Sequence, residues 1–165
     1  MANRGGGLSI VRISIIAAVI GVLLIGAAAV TYLTDQASKR VPLDVALIPG
    51  ASYWGTSEQR PTSRKVFYLS VDTPEAVAYY YQKKLQEQYQ DDTLSCVRFP
   101  ATGNAPNSDT NMNIALYIYR CMFDNSGFNS SQFTQVEIYP GRPNEDPALD
   151  AEGFTIIKYE QQWQS

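Results

Sequence analysis

The chain has 165 residues, 45% of them hydrophobic, and a net charge of −3 at pH 7. With no basic patch in that balance, a nucleic-acid partner has no support. Histidine is absent, which removes the usual base near neutral pH and the commonest transition-metal and haem ligand.

The first element is the stretch Ile13 to Leu33, ISIIAAVIGVLLIGAAAVTYL, which carries no charged residue. At about 1.5 Å of rise per residue it spans roughly 30 Å, the thickness of a bilayer's hydrocarbon core. In lipid the backbone must satisfy its own hydrogen bonds, so a helix is expected. The plan is a cytoplasmic tail (1–12), a transmembrane helix (13–33), a polar linker (34–41) and one extracytoplasmic domain (42–165). A cleaved secretory signal is the rival reading, because Ala27 and Ala29 form an A-x-A site behind Arg4 and Arg12. A lipoprotein signal fails, since no cysteine follows the apolar run.

Lys and Arg are balanced across the helix, with Arg4 and Arg12 before it and Lys39 and Arg40 after. The positive-inside rule therefore discriminates little. Cysteine use and the signal-like leader favour a single-pass protein of the cell membrane, its amino terminus in the cytoplasm. Ser14, Ala17, Ala18, Gly21 and Ala28 give the helix a small-residue face that suits close helix–helix packing in lipid. The opposing reading is that Gly and Ala are simply common in membrane spans.

In the domain, Pro42 starts an extended piece, Leu43 to Ile48, that is closed by the Pro49-Gly50 turn, so a short strand is expected. Gly55 to Ser63 is polar, contains Pro61 and reads as a loop. Lys65 to Val71 has period two, with Phe67, Leu69 and Val71 opposite Val66, Tyr68 and Ser70. Asp72 and Thr73 then offer helix caps and Pro74 fits the first turn. Val77, Tyr81 and Leu85, with Tyr80 beside them, make one apolar stripe on a helix from Pro74 to about Gln90. Four more strands follow: Leu94 to Phe99, Ile114 to Phe123, Phe133 to Tyr139 and Phe154 to Glu160. The order β-β-α-β-β-β-β predicts an α+β fold, a small antiparallel sheet with one helix packed on one face.

Cys96 and Cys121 are the only cysteines. They lie on consecutive expected strands, where a hairpin brings them nearly opposite, and a disulfide suits an oxidising compartment. Two reduced core thiols or a redox pair are the alternatives, although the wide spacing is not that of a C-x-x-C motif. Two cysteines without histidine make a poor zinc site. Glu145, Asp146, Asp150 and Glu152 form an acidic group that reads either as a calcium or basic-partner site or as a solvated loop. Its spacing is not that of an EF-hand. Asn129-Ser130-Ser131 matches a glycosylation acceptor. No nucleophile elbow or phosphate-binding glycine loop occurs, and no histidine stands by to activate a serine. The expectation is a chain that is not an enzyme and carries neither cofactor nor metal.

Three stretches carry a resemblance: D-V-A-L-I-P-G-A at Asp44 to Ala51, S-V-D-T-P-E-A-V-A-Y-Y-Y at Ser70 to Tyr81, and the pair C-V-R-F-P and Y-R-C-M-F. Together they resemble uncharacterised bacterial envelope domains held by an N-terminal helix. That resemblance implies an extracytoplasmic binding or accessory role. A fainter similarity is to small single-span subunits of bacterial electron-transport assemblies such as alternative complex III. The function expected is therefore a non-catalytic accessory subunit of a larger membrane complex, partnered by other membrane-protein subunits and the lipid bilayer. A free-standing envelope module for ligand binding or sensing is the alternative.

Overall fold

The computed structural model describes residues 10–127 and 130–164. The chain divides into two units between Ser38 and Lys39. The first is the helix α1 (Ile10–Ser38). Residues 1–9 of the expected tail lie outside the described residues. The 27-residue part Arg12–Ser38 is long and apolar enough, by length and composition, to cross a membrane.

The helix takes in most of the expected linker, which is a correction at residues 34–38. That sequence holds no Gly or Pro to stop a helix before Pro42. Its hydroxyls also turn back onto the helix: Thr34 donates to the Val30 carbonyl at 3.0 Å and Ser38 to that of Asp35 at 2.7 Å.

The second unit is a six-stranded antiparallel sheet with one helix on one face. The strands are β1 (Ser52–Arg60), β2 (Ser63–Ser70), β3 (Val97–Phe99), β4 (Ile118–Asp124), β5 (Phe133–Pro140) and β6 (Thr155–Gln162), and α2 (Pro74–Tyr89) lies between β2 and β3. The spatial order is β1-β2-β6-β5-β4-β3. From β2 the chain crosses the sheet through α2 to the far edge, then returns as a meander until β6 pairs with β2.

The helix begins as its sequence dictates. Thr73 caps it, with its hydroxyl accepting from the Ala76 amide, and Pro74 supplies the first turn. Val77, Ala78, Tyr81 and Leu85 face β4, β5 and β6 and are buried against Val136, Ile138, Ile157 and Phe123. Each such side chain contributes roughly 1.5–3 kcal/mol on burial.

Three expected elements differ. Leu43 to Ile48 is extended but belongs to no ladder. It lies over the buried sheet face, and side chains satisfy its backbone in place of a neighbouring strand. Gln132 donates to the Val41 carbonyl at 2.9 Å, and Thr134 and Gln161 donate to that of Leu43 at 2.7 and 2.9 Å. Tyr159 donates to the Val45 carbonyl and Tyr80 to that of Leu47, each at 3.4 Å.

Gly55 to Ser63, expected as a loop, is mostly β1 and the turn after it. It is polar because it is an exposed edge strand, and irregular register near Trp54 and Ser57 breaks up that edge. The expected strands at 94–99 and 114–123 keep only their C-terminal parts in ladders, as β3 and β4.

Cys96 and Cys121 are joined by a disulfide. Val97 pairs with Arg120, so the register places the two cysteines across from each other. The bond closes 25 residues of chain, which in the loop-entropy treatment is worth about 3.5 kcal/mol. Chemical unfolding of the full chain should therefore shift to lower denaturant by that order when reductant is added. An unchanged midpoint would show that the bond constrains little.

Candidate functional site

The sheet's two faces have different fates. Val66, Tyr68, Tyr159, Val136 and Cys121 point under α2 and the 41–51 segment. Among the described residues of this unit the opposite face carries no helix, and two kinds of surface meet on it.

The first is a row of ion pairs across five strands, set by register. Arg120 on β4 faces Glu137 on β5, which faces Lys158 on β6. The Glu137 carboxylate accepts from Arg120 Nε at 2.8 Å, from Lys158 Nζ at 3.0 Å and from Gln135 at 2.9 Å. Lys158 also reaches Glu160 at 3.0 Å, and Lys65 on β2 lies 3.8 Å from Glu160 and 2.9 Å from Glu58 on β1. Most of these pairs are half-exposed and individually weak. Glu137 is the exception, with 9% of its side chain exposed. Burial pushes its carboxyl up, but Lys158 and Arg120 outweigh that and hold it below the usual 4.5. Burial pushes Lys158 down, and Glu137 and Glu160 more than restore it, so its ammonium is held above the usual 10.5.

The second surface is a trough beside this row. Its floor is Phe67, Tyr139 and Ile156, and the loop 141–153 roofs it. The loop's neck is tight: the Gly141 amide donates to the Phe154 carbonyl at 2.8 Å, and Ala151 N–H to that of Arg142 at 3.2 Å. A Cβ on Gly141 would stand 1.9 Å from the Ala151 carbonyl oxygen, so only glycine fits there. The far side is pinned by Trp54, whose indole donates to the Ala148 carbonyl at 3.2 Å, and by Arg142, which donates to that of Asn111 at 3.0 Å. Two cavities of about 470 and 410 Å³ result.

The residues singled out from the sequence are distributed as follows. Cys96 and Cys121 are brought together, but inside the covered face. Ser14, Ala17, Ala18 and Ala28 are exposed on α1, and a Cβ on Gly21 would meet nothing. With Gly21 they fall within about 100° of helix arc. The acidic loop satisfies itself: Asn144, Asp146 and Asp150 each accept a backbone amide two residues ahead. Among the described residues, no group of three or more His, Cys, Asp or Glu could hold a metal ion. Asn129 lies outside the described residues.

Sequence reasoning missed the trough, with Trp54, Glu137, Tyr139, Arg142 and Lys158. The available signals were Trp54 in an otherwise polar stretch and the apolar pair Ala148-Leu149 inside an acidic loop. In comparisons with known protein families, curated proteins and solved structures, the chain matches none.

Because the Glu137 carboxyl lies lower in the folded chain than in the unfolded one, its stabilisation is complete above the unfolded value. It is lost as pH falls through the folded value. Glu137→Gln should cost about 2 kcal/mol at neutral pH and flatten the acid limb of a stability–pH curve measured by chemical unfolding. An acid limb identical to the parent's would exclude Glu137 as its source.

Proposed function

We propose that this chain is a single-pass protein of a bacterial cell membrane, with its amino terminus in the cytoplasm. Its extracytoplasmic domain works by binding, not by catalysis. The observation that carries this reading is the asymmetry of the sheet. One face is closed by α2 and the 41–51 segment, while the other keeps a loop-roofed trough beside an ordered row of charge. Concave, largely apolar surfaces with a few placed polar groups are where ligands bind. The apolar helix supports the anchor, and the disulfide suits a compartment outside the cytoplasm.

A photo-crosslinking residue at Ser57, an exposed position on the trough's lining, tests this directly in cells. Its counterpart at Lys83, on the outer side of α2, is the control. Adducts should form at Ser57 and not at Lys83. The reverse pattern would move the working surface to the helix.

The second reading, an accessory subunit of a larger membrane complex, is favoured by the open small-residue face of α1. There, close backbone approach lets packing and weak Cα–H···O contacts accumulate. Gly21→Leu should then reduce co-purification of partner subunits in mild detergent without reducing insertion, whereas Leu23→Ala should not. Full partner yield with Gly21→Leu would leave α1 as a tether alone.

A further inference from the structure

The two cavities under the 141–153 loop are parts of one trough, since Ser57, Phe67, Tyr139, Leu149 and Ile156 line both. Their outer ends differ in chemistry. Trp54 and Ala148 complete one end, which is apolar. The other end is lined by Lys65, Lys158, Arg142 and Glu137; Lys65 is paired with Glu58, and Lys158 with Glu137 and Glu160.

The Glu137 carboxylate is already engaged by Arg120, Lys158 and Gln135. Arg142 has no carboxylate partner among the described residues; its Nη1 donates to a backbone carbonyl and lies 4.0 Å from the Met112 sulfur. A guanidinium has five N–H donors, so most of the Arg142 fork remains available. The Tyr139 hydroxyl makes no hydrogen bond among the described residues, and burial raises its pKa. It is therefore a protonated donor within the same trough.

The open Arg142 fork and Tyr139 hydroxyl at one end and an aromatic, aliphatic wall at the other suit a small amphipathic anion. We infer that the trough binds a free single-chain amphipathic anion, with its headgroup at Arg142 and Tyr139 and its tail along Phe67 toward Trp54. A planar fork on an anionic headgroup gives a charge-assisted, two-bond contact. The tail removes apolar area from water at roughly 25 cal/mol per Å². The inference rests on the open face being the binding face and adds the chemistry of what it takes.

The test uses the full chain in phosphatidylcholine nanodiscs with a tryptophan-free scaffold. Trp163→Phe leaves Trp54 as the only tryptophan, because the chain has two, and excitation at the red edge avoids the tyrosines. The probes are 10-bromodecanoate, 2-bromodecanoate and a decyltrimethylammonium salt. Bromine quenches on contact, so quenching reports which end of the chain lies near Trp54. Quenching by 10-bromodecanoate should saturate and exceed that by 2-bromodecanoate. The ammonium salt should displace it at least tenfold more weakly than unlabelled decanoate. Arg142→Glu should weaken decanoate at least tenfold, and Arg142→Lys, which keeps the charge, by much less. Tyr139→Phe, which keeps the ring, should weaken it severalfold.

Equal displacement by the ammonium salt, equal quenching by both bromo acids, or wild-type affinity in Arg142→Glu would each overturn the inference. So would an absence of saturable quenching. If saturation is absent while Ser57 still cross-links in cells, the face binds something of other chemistry. If both are blank, the binding reading falls as well.

Discussion

The domain depends on a row of hydrogen bonds that no strand supplies. The carbonyls of Val41, Leu43, Val45 and Leu47 point the same way along an extended chain. Each is met by a side chain: Gln132, then Thr134 with Gln161, then Tyr159, then Tyr80. The Ile48 amide donates in turn to the Tyr81 hydroxyl, which lies 2.8 Å from that of Tyr159. Buried backbone must find partners somewhere. Here the price is polar side chains in the middle of a sheet face. Thr134 and Gln161 are both buried, directly paired across β5 and β6, and bonded to each other at 3.0 Å. Burial pushes the Tyr81 phenol up to about 12, and the same cause raises Tyr159, so both remain neutral donors in this network.

That arrangement explains the asymmetry of the sheet. A 16-residue helix cannot cover six strands, and α2 sits over β4, β5 and β6. The 41–51 segment covers what the helix leaves on that side. Among the described residues of this unit no helix crosses the opposite face, where the 141–153 loop and residues 112–115 line the trough. Without a helix above them, residues there are free to be charged, and cross-strand register turns them into alternating ion pairs rather than a scattered surface. The same register brings Phe67, Tyr139 and Ile156 together beside the ion pairs, since Phe67 pairs with Lys158 and Tyr139 with Ile156.

Much of the fold was legible because it rests on local rules. Thr73-Pro74 starts α2 where a cap and a proline should, and Val77, Tyr81 and Leu85 are its buried stripe. The cysteines pair because two strands joined by a loop place them across from each other. The misreadings share a cause. Pro42 and the Pro49-Gly50 turn report an extended chain at Leu43 to Ile48, and do not say whether a strand or side chains satisfy its backbone. Polarity at Gly55 to Arg60 reports exposure, which an edge strand and a loop share. The trough was not legible because its members come from β1, β2, β5, β6 and the loop that joins β5 to β6. Only pairing register unites Trp54, Phe67, Tyr139, Arg142 and Lys158, and a single sequence does not print register. For the 41–51 segment the overlooked clue was the buried polar pair Thr134 and Gln161, since inward-facing polar residues in strands require a partner on that face.

Division of labour between the two faces is measurable by hydrogen exchange. The comparison is the full chain in its native membranes against the same chain purified into phosphatidylcholine nanodiscs. Amides of the 141–153 loop and of residues 111–115 should exchange more slowly in the native membranes, where whatever the trough binds is present. Those of α2 should exchange alike in both. Extra protection on α2, or identical exchange of the loop in the two preparations, would contradict a binding role for the open face.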